Sequence, residues 1–384
     1  MQSSWASGRW GAAWASVRDP TLSFLSQRVP LWLSVWWGML MVGTTVRTTP
    51  NLFLDGWFRW DALYYLQIAE RGYTNVPNAL LQRDTNFWPL FPFLSRLVSL
   101  AVPGHDLRLA MFVLNNAMLL GSLVLFRDVG ERAVGKERTQ LASWLLLCHP
   151  FAFYYSAGYT ESAFLFFSLV ALYFGERERW LVAGLAAACA SATRAPGIGT
   201  TVMLAVLYLE KRGWSVRRIR PDALFVALGG LGALEYVALL QVEFHDPFAF
   251  MAGVYAKDWG ADITLERFFR TLGHAVDPVH HWPLGWIEAT DLFHVACLAL
   301  VVAMAVRGVK VVRPHLVAFC AIEVLIVSRI WSAGGRYSAP IFPVYLVLAD
   351  LLEARPAWKP VVFATFASFQ ALFAFMYSHS YWVS

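Results

Sequence analysis

Residues 107–126 read LRLAMFVLNNAMLLGSLVLF, and residues 127–138 continue as RDVGERAVGKER. The first stretch carries a single charge, Arg108, over the roughly 17–25 mostly apolar residues that a helix needs to cross a bilayer. The second carries Arg127, Arg132, Lys136 and Arg138, the basic flank that favours the cytoplasmic side of a span. Working outward from this pair, the same alternation recurs along the whole chain. Apolar segments fall near 30–46, 107–126, 139–157, 159–175, 180–194, 196–210, 222–243, 291–306, 315–330, 336–353 and 360–378. The segments at 180–194 and 196–210 are short and read equally well as one broken helix. Composition agrees: 58% of residues are hydrophobic and 15% charged, against about 25% charged in a soluble chain. The mean hydropathy is +0.50. These features predict an all-α polytopic membrane protein, a single membrane domain over residues 1–384 with about eleven spans.

The formal net charge of +5 is modest and spread along the chain. No basic patch interleaved with aromatics is present, so nucleic acid is not an expected partner. Cys148, Cys189, Cys297 and Cys320 lie in apolar segments without Cys-x-x-Cys spacing, which argues for small core residues over a zinc site or a disulfide framework. Residues 1–29 lack the order of a cleaved signal peptide and read as a cytoplasmic lead-in.

With the N terminus inside, nineteen of the 31 Lys and Arg fall in short inner segments, where the positive-inside rule has force. Those segments hold Arg9, Arg18 and Arg28, the four basic residues quoted above, Arg177 and Arg179, Lys211 to Arg220, Arg307 to Arg313, and Arg355 with Lys359. The Lys211–Arg220 stretch is foremost a topology anchor, with anionic-lipid binding as the alternative. Two segments then lie outside and are too long for turns, 47–106 and 244–290, and long loops are uncommon without a function.

In the first of them, Trp57 to Tyr73 reads as a short amphipathic helix stopped by Gly72. Counting about 100° per residue from Arg59, the residues Glu70, Gln67 and Arg71 fall near roughly 20°, 80° and 120°, one polar stripe. Asp61 falls near roughly 200°, beside Trp57, Tyr65 and Ile68. An acid on the aromatic side of an interfacial helix is desolvated unless it meets a partner. It is therefore either a functional acid or one paired for packing. Downstream, Asp84 to Pro92 holds Pro89 and Pro92, which predicts extended backbone, with Phe87, Trp88 and Phe91 packing onto the membrane surface. Asp84 is either a second acid of the site or a cap before the turn.

Trp60-Asp61, Tyr65, Ile68-Ala69 and Gly72-Tyr73, followed by Phe87-Trp88-Pro89-Leu90-Phe91-Pro92, resemble the first-loop signature of the PIG-V type mannosyltransferases. That family belongs to the GT-C class of multi-spanning glycosyltransferases that use lipid-phosphate sugars. Weaker echoes are Pro150 through Tyr159-Thr160-Glu161-Ser162, Ala192-Thr193-Arg194 before Pro196-Gly197, and Arg336-Tyr337 before Pro340. Trp88 stands where relatives tend to have Phe. The resemblance implies a GT-C-like bundle with amphipathic helices in the first outer loop. It also implies Asp61 as the catalytic base, and mannose as the sugar of a polyprenyl- or dolichyl-phosphate donor.

Such a donor already carries a good leaving group, so the chemistry needs one base for the acceptor hydroxyl and cations for the departing phosphate. Arg194 and Arg336 sit at the outer face against the charge bias, and each reads as a snorkelling anchor or a phosphate ligand. Arg329, inside an apolar run, is the partner of a buried acid or a third phosphate contact. Glu161, after Thr160, suits either the first turn of a helix or a hydroxyl-binding role in the sugar pocket. Trp60, Tyr65, Tyr337 and His149 complete the candidate substrate contacts. His274, Asp277, His280 and His281 match no metal motif, and neither a metal nor a cofactor is expected. The expected reaction is an inverting transfer to a glycolipid or glycan acceptor. Its expected place is the extracytoplasmic face of the cell inner membrane, or of the endoplasmic reticulum membrane in a eukaryote. The competing readings are a transporter or flippase of a lipid-linked sugar, a non-catalytic subunit, and a GT-C enzyme for another sugar.

Overall fold

A computed structural model describes residues 9–44, 46–76, 83–251, 269, 273, 286–328 and 333–383. Among these residues every regular element is helical. The chain begins with α1 (Arg9–Met41), α2 (Leu52–Asp55), α3 (Asp61–Arg71) and α4 (Leu90–Ser99). Five helices then run to and fro: α5 (Leu107–Val134), α6 (Lys136–Cys148), α7 (Glu161–Glu176), α8 (Trp180–Thr193) and α9 (Ile198–Lys211). After α10 (Ala223–Ala227) and α11 (Leu231–Phe244) come α12 (Trp286–Gly308), α13 (Pro314–Val327), α14 (Gly334–Ser338), α15 (Pro343–Glu353) and α16 (Lys359–Ser378). Among the described residues, four stretches are long and apolar enough to cross a membrane: Leu107–Val134, Ala223–Phe244, Thr290–Gly308 and Pro356–Ser378. The chain is a membrane protein.

Local signals set the helix ends. Asp106 caps α5 by accepting from the amides of Arg108 and Leu109 at 2.8 and 3.1 Å, and Gly135 at φ 86° stops it, the usual asymmetry of polar N-cap and glycine C-cap. Helix α7 packs between α5 and α8, α9 against α13, and α6 against α15. On α8, Ala183, Ala186, Ala187 and Ala190 are buried, and small residues of this kind let helix backbones approach closely without a hydrophobic driving force.

The basic segments gather at one end of the bundle. Arg127 pairs with Asp19, and Arg177 with Asp128. Arg138 and Arg307 share Asp350, while Arg313 reaches Glu210. Six separated stretches of chain thus carry ion pairs, from α1, α5, α6, α9, α12 and α15 and from the residues that flank α7 and α13.

Several sequence expectations need correction. Arg28 does not lie in a lead-in segment. It is inside α1, fully buried, with Nη1 donating to the Ala152 carbonyl at 2.8 Å. Helix α1 runs unbroken through Pro20 and Pro30, as membrane helices tolerate proline where neighbouring groups can satisfy the freed backbone. The helix in the first loop starts at Asp61 rather than Trp57, and Arg59 leaves the polar stripe to pair with Asp55 at 2.7 Å. The Pro89–Pro92 stretch is not extended. Pro92 occupies the first turn of α4, where its missing amide has no intrahelical acceptor to lose. Finally, Phe87, Trp88 and Phe91 are buried inward. Phe87 stacks on Tyr64 at 4.6 Å and Phe91 meets Tyr65 edge-on at 5.7 Å, each such pair contributing about 0.5–1.5 kcal/mol beyond area burial.

Candidate active site

Away from the basic end, the long helices are interrupted at one level. Helix α6 stops at Cys148, and α7 begins only at Glu161. Between α8 and α9, Arg194 is fully extended (φ −171°, ψ 154°) and Pro196 opens the next turn. Between α13 and α15 lies the five-residue α14, which carries Arg336. Irregular backbone at this depth is tolerated where it is buried in protein or lines a cavity. Each interruption delivers one charged side chain to the same place.

The Arg336 guanidinium bridges two carboxylates, with Nη1 donating to Asp61 Oδ2 and Nε to Glu161 Oε1, both at 2.8 Å. Arg194 Nη1 donates to the same Glu161 oxygen at 3.1 Å. All four side chains are nearly dry: the residues are 7%, 0%, 4% and 5% exposed for Asp61, Glu161, Arg194 and Arg336. Aromatic faces complete the enclosure, with Arg336 4.5 Å from the Tyr159 ring and Arg194 4.1 Å from the Tyr337 ring. Buried charges persist only when paired, and two carboxylates balance two guanidinium groups here. The pairing is incomplete at the atomic level. Arg194 Nε and Nη2, and Glu161 Oε2, are buried without a hydrogen-bond partner among the described residues. Asp61 Oδ1 likewise accepts no bond there, its only partner being Arg336 through Oδ2.

The segment before Asp61 is held rigidly. Asp55 accepts from Thr48 and Thr49 and pairs with Arg59. Burial pushes the Asp55 carboxyl up, but the Arg59 and Thr48 hydrogen bonds outweigh it and hold it below the usual carboxylate range. The Tyr377 hydroxyl lies 3.1 Å from both the Arg59 amide and its carbonyl. Tyr159 donates to the same carbonyl at 3.2 Å, and the Gly158 amide donates to Trp57 O. Between these anchors Trp60 takes φ 53°, ψ −123°, a conformation that costs a non-glycine residue about 1–3 kcal/mol. Strain of this kind persists only where the surroundings over-determine it, and it lies directly beside Asp61.

Of the residues singled out in the sequence, Asp61, Glu161, Arg194, Arg336 and Tyr337 come together. Tyr65 faces them from α3: burial raises its phenol above its ordinary range, opposed by the charges of Arg336 and Arg194. Trp60 stays partly exposed, edge-on to Trp382 at 5.2 Å. Asp84 is engaged elsewhere, accepting from Thr74 and from the Asn75 amide, so it ties down its own loop. His149 is walled in by Phe151, Tyr345 and Phe366, apart from the four charges. Arg329, His274, Asp277, His280 and His281 lie outside the described residues.

Two residues at the site escaped the sequence reading. Glu323, in the apolar helix α13, is 1% exposed, and its Oε1 has no hydrogen-bond partner among the described residues. It fills the space that a Cβ on Gly199 would take, at 2.3 Å. A lone acid in an apolar run was the available signal. Asp55 was the other, visible only as an acid four residues before Arg59.

Gly335, beside Arg336, is constrained by its neighbour: an added Cβ would lie 2.1 Å from the Phe151 ring. That ring cannot yield easily, because it stacks on His294 and Phe373 at 4.9 and 5.0 Å. Gly335→Ala is expected to cost about 1–3 kcal/mol as an overpacking change, read as a lower Tm of the purified protein. A Tm equal to wild type would show that the packing around Arg336 is slack.

A buried acid with one open oxygen, beside a guanidinium with two open donors, is suited to receive a proton and an anion side by side. The chain is also similar to known proteins. The sequence pattern of a family described as mannosyltransferase (PIG-V) matches residues 38–229, half of the chain. The GPI alpha-1,6-mannosyltransferase 2 of Rattus norvegicus is 30% identical over 170 residues, and that of Mus musculus 31%. The matched stretch is 42% of this chain and 33% of each relative, so the chain spans about a third of their length. Among solved structures, the Archaeoglobus fulgidus oligosaccharyltransferase in complex with Zn and sulfate gives a TM-score of 0.52 at 15% identity. That match covers 94% of this chain and 53% of the other. Its apo form gives the same TM-score at 14% identity, covering 96% and 55%. At such identities the likeness is one of fold.

Proposed function

Because the chain belongs to the mannosyltransferase (PIG-V) family, we propose that it moves a mannosyl residue from a polyprenyl- or dolichyl-phosphate-mannose donor to a hydroxyl of a glycolipid or glycan acceptor. The observation that carries this reading is the dry cluster of Asp61, Arg336, Glu161 and Arg194 at the helix interruptions. In the reaction, the acceptor oxygen attacks the anomeric carbon while the bond to the lipid phosphate breaks. Asp61 takes the hydroxyl proton on its open oxygen. The open donors of Arg194, with Arg336, take the charge that develops on the phosphate, as preorganised cations do in a water-poor site. Glu161 orients both guanidinium groups. A single displacement inverts the anomeric centre, giving an α-linked product from a β-linked donor. Trp60, Tyr65 and Tyr337 line the sugar's approach.

In the membrane, the basic end of the bundle faces the cytoplasm, by the positive-inside rule. The cluster then faces the extracytoplasmic side, with segments 47–106 and 244–290 around it. The shorter helices α6 to α9, α13 and α15 cross together with the four long stretches and α1, which gives eleven passages in one GT-C-like domain. Single reporter cysteines test the orientation in a background lacking the four native ones. One at Glu70 should react with an impermeant maleimide from outside, and one at Arg217 should not. The reverse pattern would overturn the placement.

The transfer itself is tested with radiolabelled mannose on synthetic polyprenyl phosphate, incubated with membranes that hold the protein and those that lack it. Label should pass into an extractable glycolipid or glycan only where the protein is present. Label transferred instead from the corresponding glucose or arabinose donor would keep the chemistry and change the sugar.

A further inference from the structure

At the basic end, far from the four charges of the cluster, the helices leave a cavity of about 260 Å3. That is space for roughly nine waters at about 30 Å3 each. Helix α7 alone separates the two places, since Glu161 stands at its first residue and Glu176 at its last. The cavity is lined by Arg132, Glu176, Lys211, Arg313 and His315, with Leu316 as apolar floor.

The lining charges are only partly matched. Arg132 pairs with Asp128, Arg313 pairs with Glu210, and His315 Nδ1 lies 2.7 Å from the same Glu210 carboxylate. Lys211 differs: its ammonium donates to the main-chain carbonyl of Glu176 at 2.9 Å, and it forms no ion pair among the described residues. The Glu176 carboxylate forms none there either, and its Oε2 is buried without a hydrogen-bond partner. An ammonium and a carboxylate therefore border one cavity without joining each other. Uncompensated charge in a recess is unfavourable, and a ligand with both signs relieves both residues at once.

We propose that this cavity binds a phosphate ester bearing a primary ammonium, the phosphoethanolamine group, presented as the headgroup of a membrane lipid. The phosphate meets Lys211 and the forked guanidinium groups of Arg132 and Arg313, which are suited to phosphate oxygens. The ammonium donates to Glu176. A lipid is the natural source, because the cavity opens where the helices end and the polar layer of a bilayer begins. Choline headgroups lack the N–H donors that Glu176 needs, and glycerol headgroups lack the positive charge. The site is independent of the transfer reaction and stands or falls without it.

Thermal unfolding of the full-length protein, delipidated in detergent and supplemented with one lipid at a time, tests this directly. Phosphatidylethanolamine should raise the Tm saturably, by about 2 °C or more, and phosphatidylcholine and phosphatidylglycerol of the same chains should not. Each variant is read against its own lipid-free Tm, so a change in basal stability does not obscure the result. Lys211→Met should abolish the phosphatidylethanolamine shift, and Glu176→Gln should remove the preference for ethanolamine over glycerol. A shift produced equally by soluble O-phosphoethanolamine would keep the site and assign it to a free ligand instead of a lipid. Equal shifts with all three lipids, or an ethanolamine shift that survives Lys211→Met, would overturn the proposal.

Discussion

Asp61→Asn should lower mannosyl transfer about 10²–10⁴-fold, the range that a positioned general base contributes, with the protein still folded. The substitution keeps size and removes the capacity to hold a proton. Arg336 retains Glu161 as a partner at 2.8 Å, so the loss of one carboxylate leaves no cation stranded. The alternative role for Asp61 is only to hold Arg336 in place. Steady-state kinetics with varied donor separates the two, because an interaction made only in the transition state lowers kcat and leaves KM unchanged. A rise confined to donor KM would transfer the role of Asp61 from proton acceptor to support for Arg336. Transfer at the wild-type rate would remove it from the mechanism altogether.

Glu161→Ala should have the largest effect on stability, about 3–5 kcal/mol, because it removes one member of a buried ion network and leaves charge behind. The consequence is unequal for the two arginines. Arg336 keeps Asp61, whereas Arg194 has Glu161 as its ion-pair partner among the described residues. The double variant Glu161→Ala with Arg194→Met should therefore recover much of the lost stability, since the remaining Asp61–Arg336 pair is intact. It should not recover transfer, because the proposed phosphate donors are gone. Melting curves of the two variants decide the first point, and the transfer assay decides the second. Equal destabilisation in single and double variants would mean that Glu161 acts through packing and not through charge.

The helices, the gathering of basic segments at one end, and the misfit of Asp61 on its wheel were legible in the sequence, because each rests on local periodicity or charge. So were Glu161, Arg194 and Arg336, each flagged for standing beside a proline, a glycine or a helix start. Their connection was not legible. Arg336 meets Asp61 across 275 positions of chain, and no local rule specifies such a pairing. The start of α3 was misplaced for the same reason: Asp55, Tyr159 and Tyr377 hold Arg59 off the helix by contacts that are mostly distant in sequence. Pro92 was misread for a different reason, a local rule applied without its exception for the first turn. Glu323 went unnoticed although the criterion applied to Arg329, a charge alone in an apolar run, fits it equally.

The modest length of α7 has one more implication. Its 16 residues rise about 24 Å, at roughly 1.5 Å each, while the hydrocarbon core of a bilayer is about 30 Å thick. With Glu176 at one boundary of that core, the cluster at the first residue of α7 sits roughly 6 Å below the other. In the proposed reaction, that depth shortens the descent of a lipid-borne phosphate to Arg194 and lets the isoprenoid tail stay dissolved in the bilayer throughout. Hydrophobic mismatch, usually counted as a cost of short helices, becomes a feature of the donor's entry route.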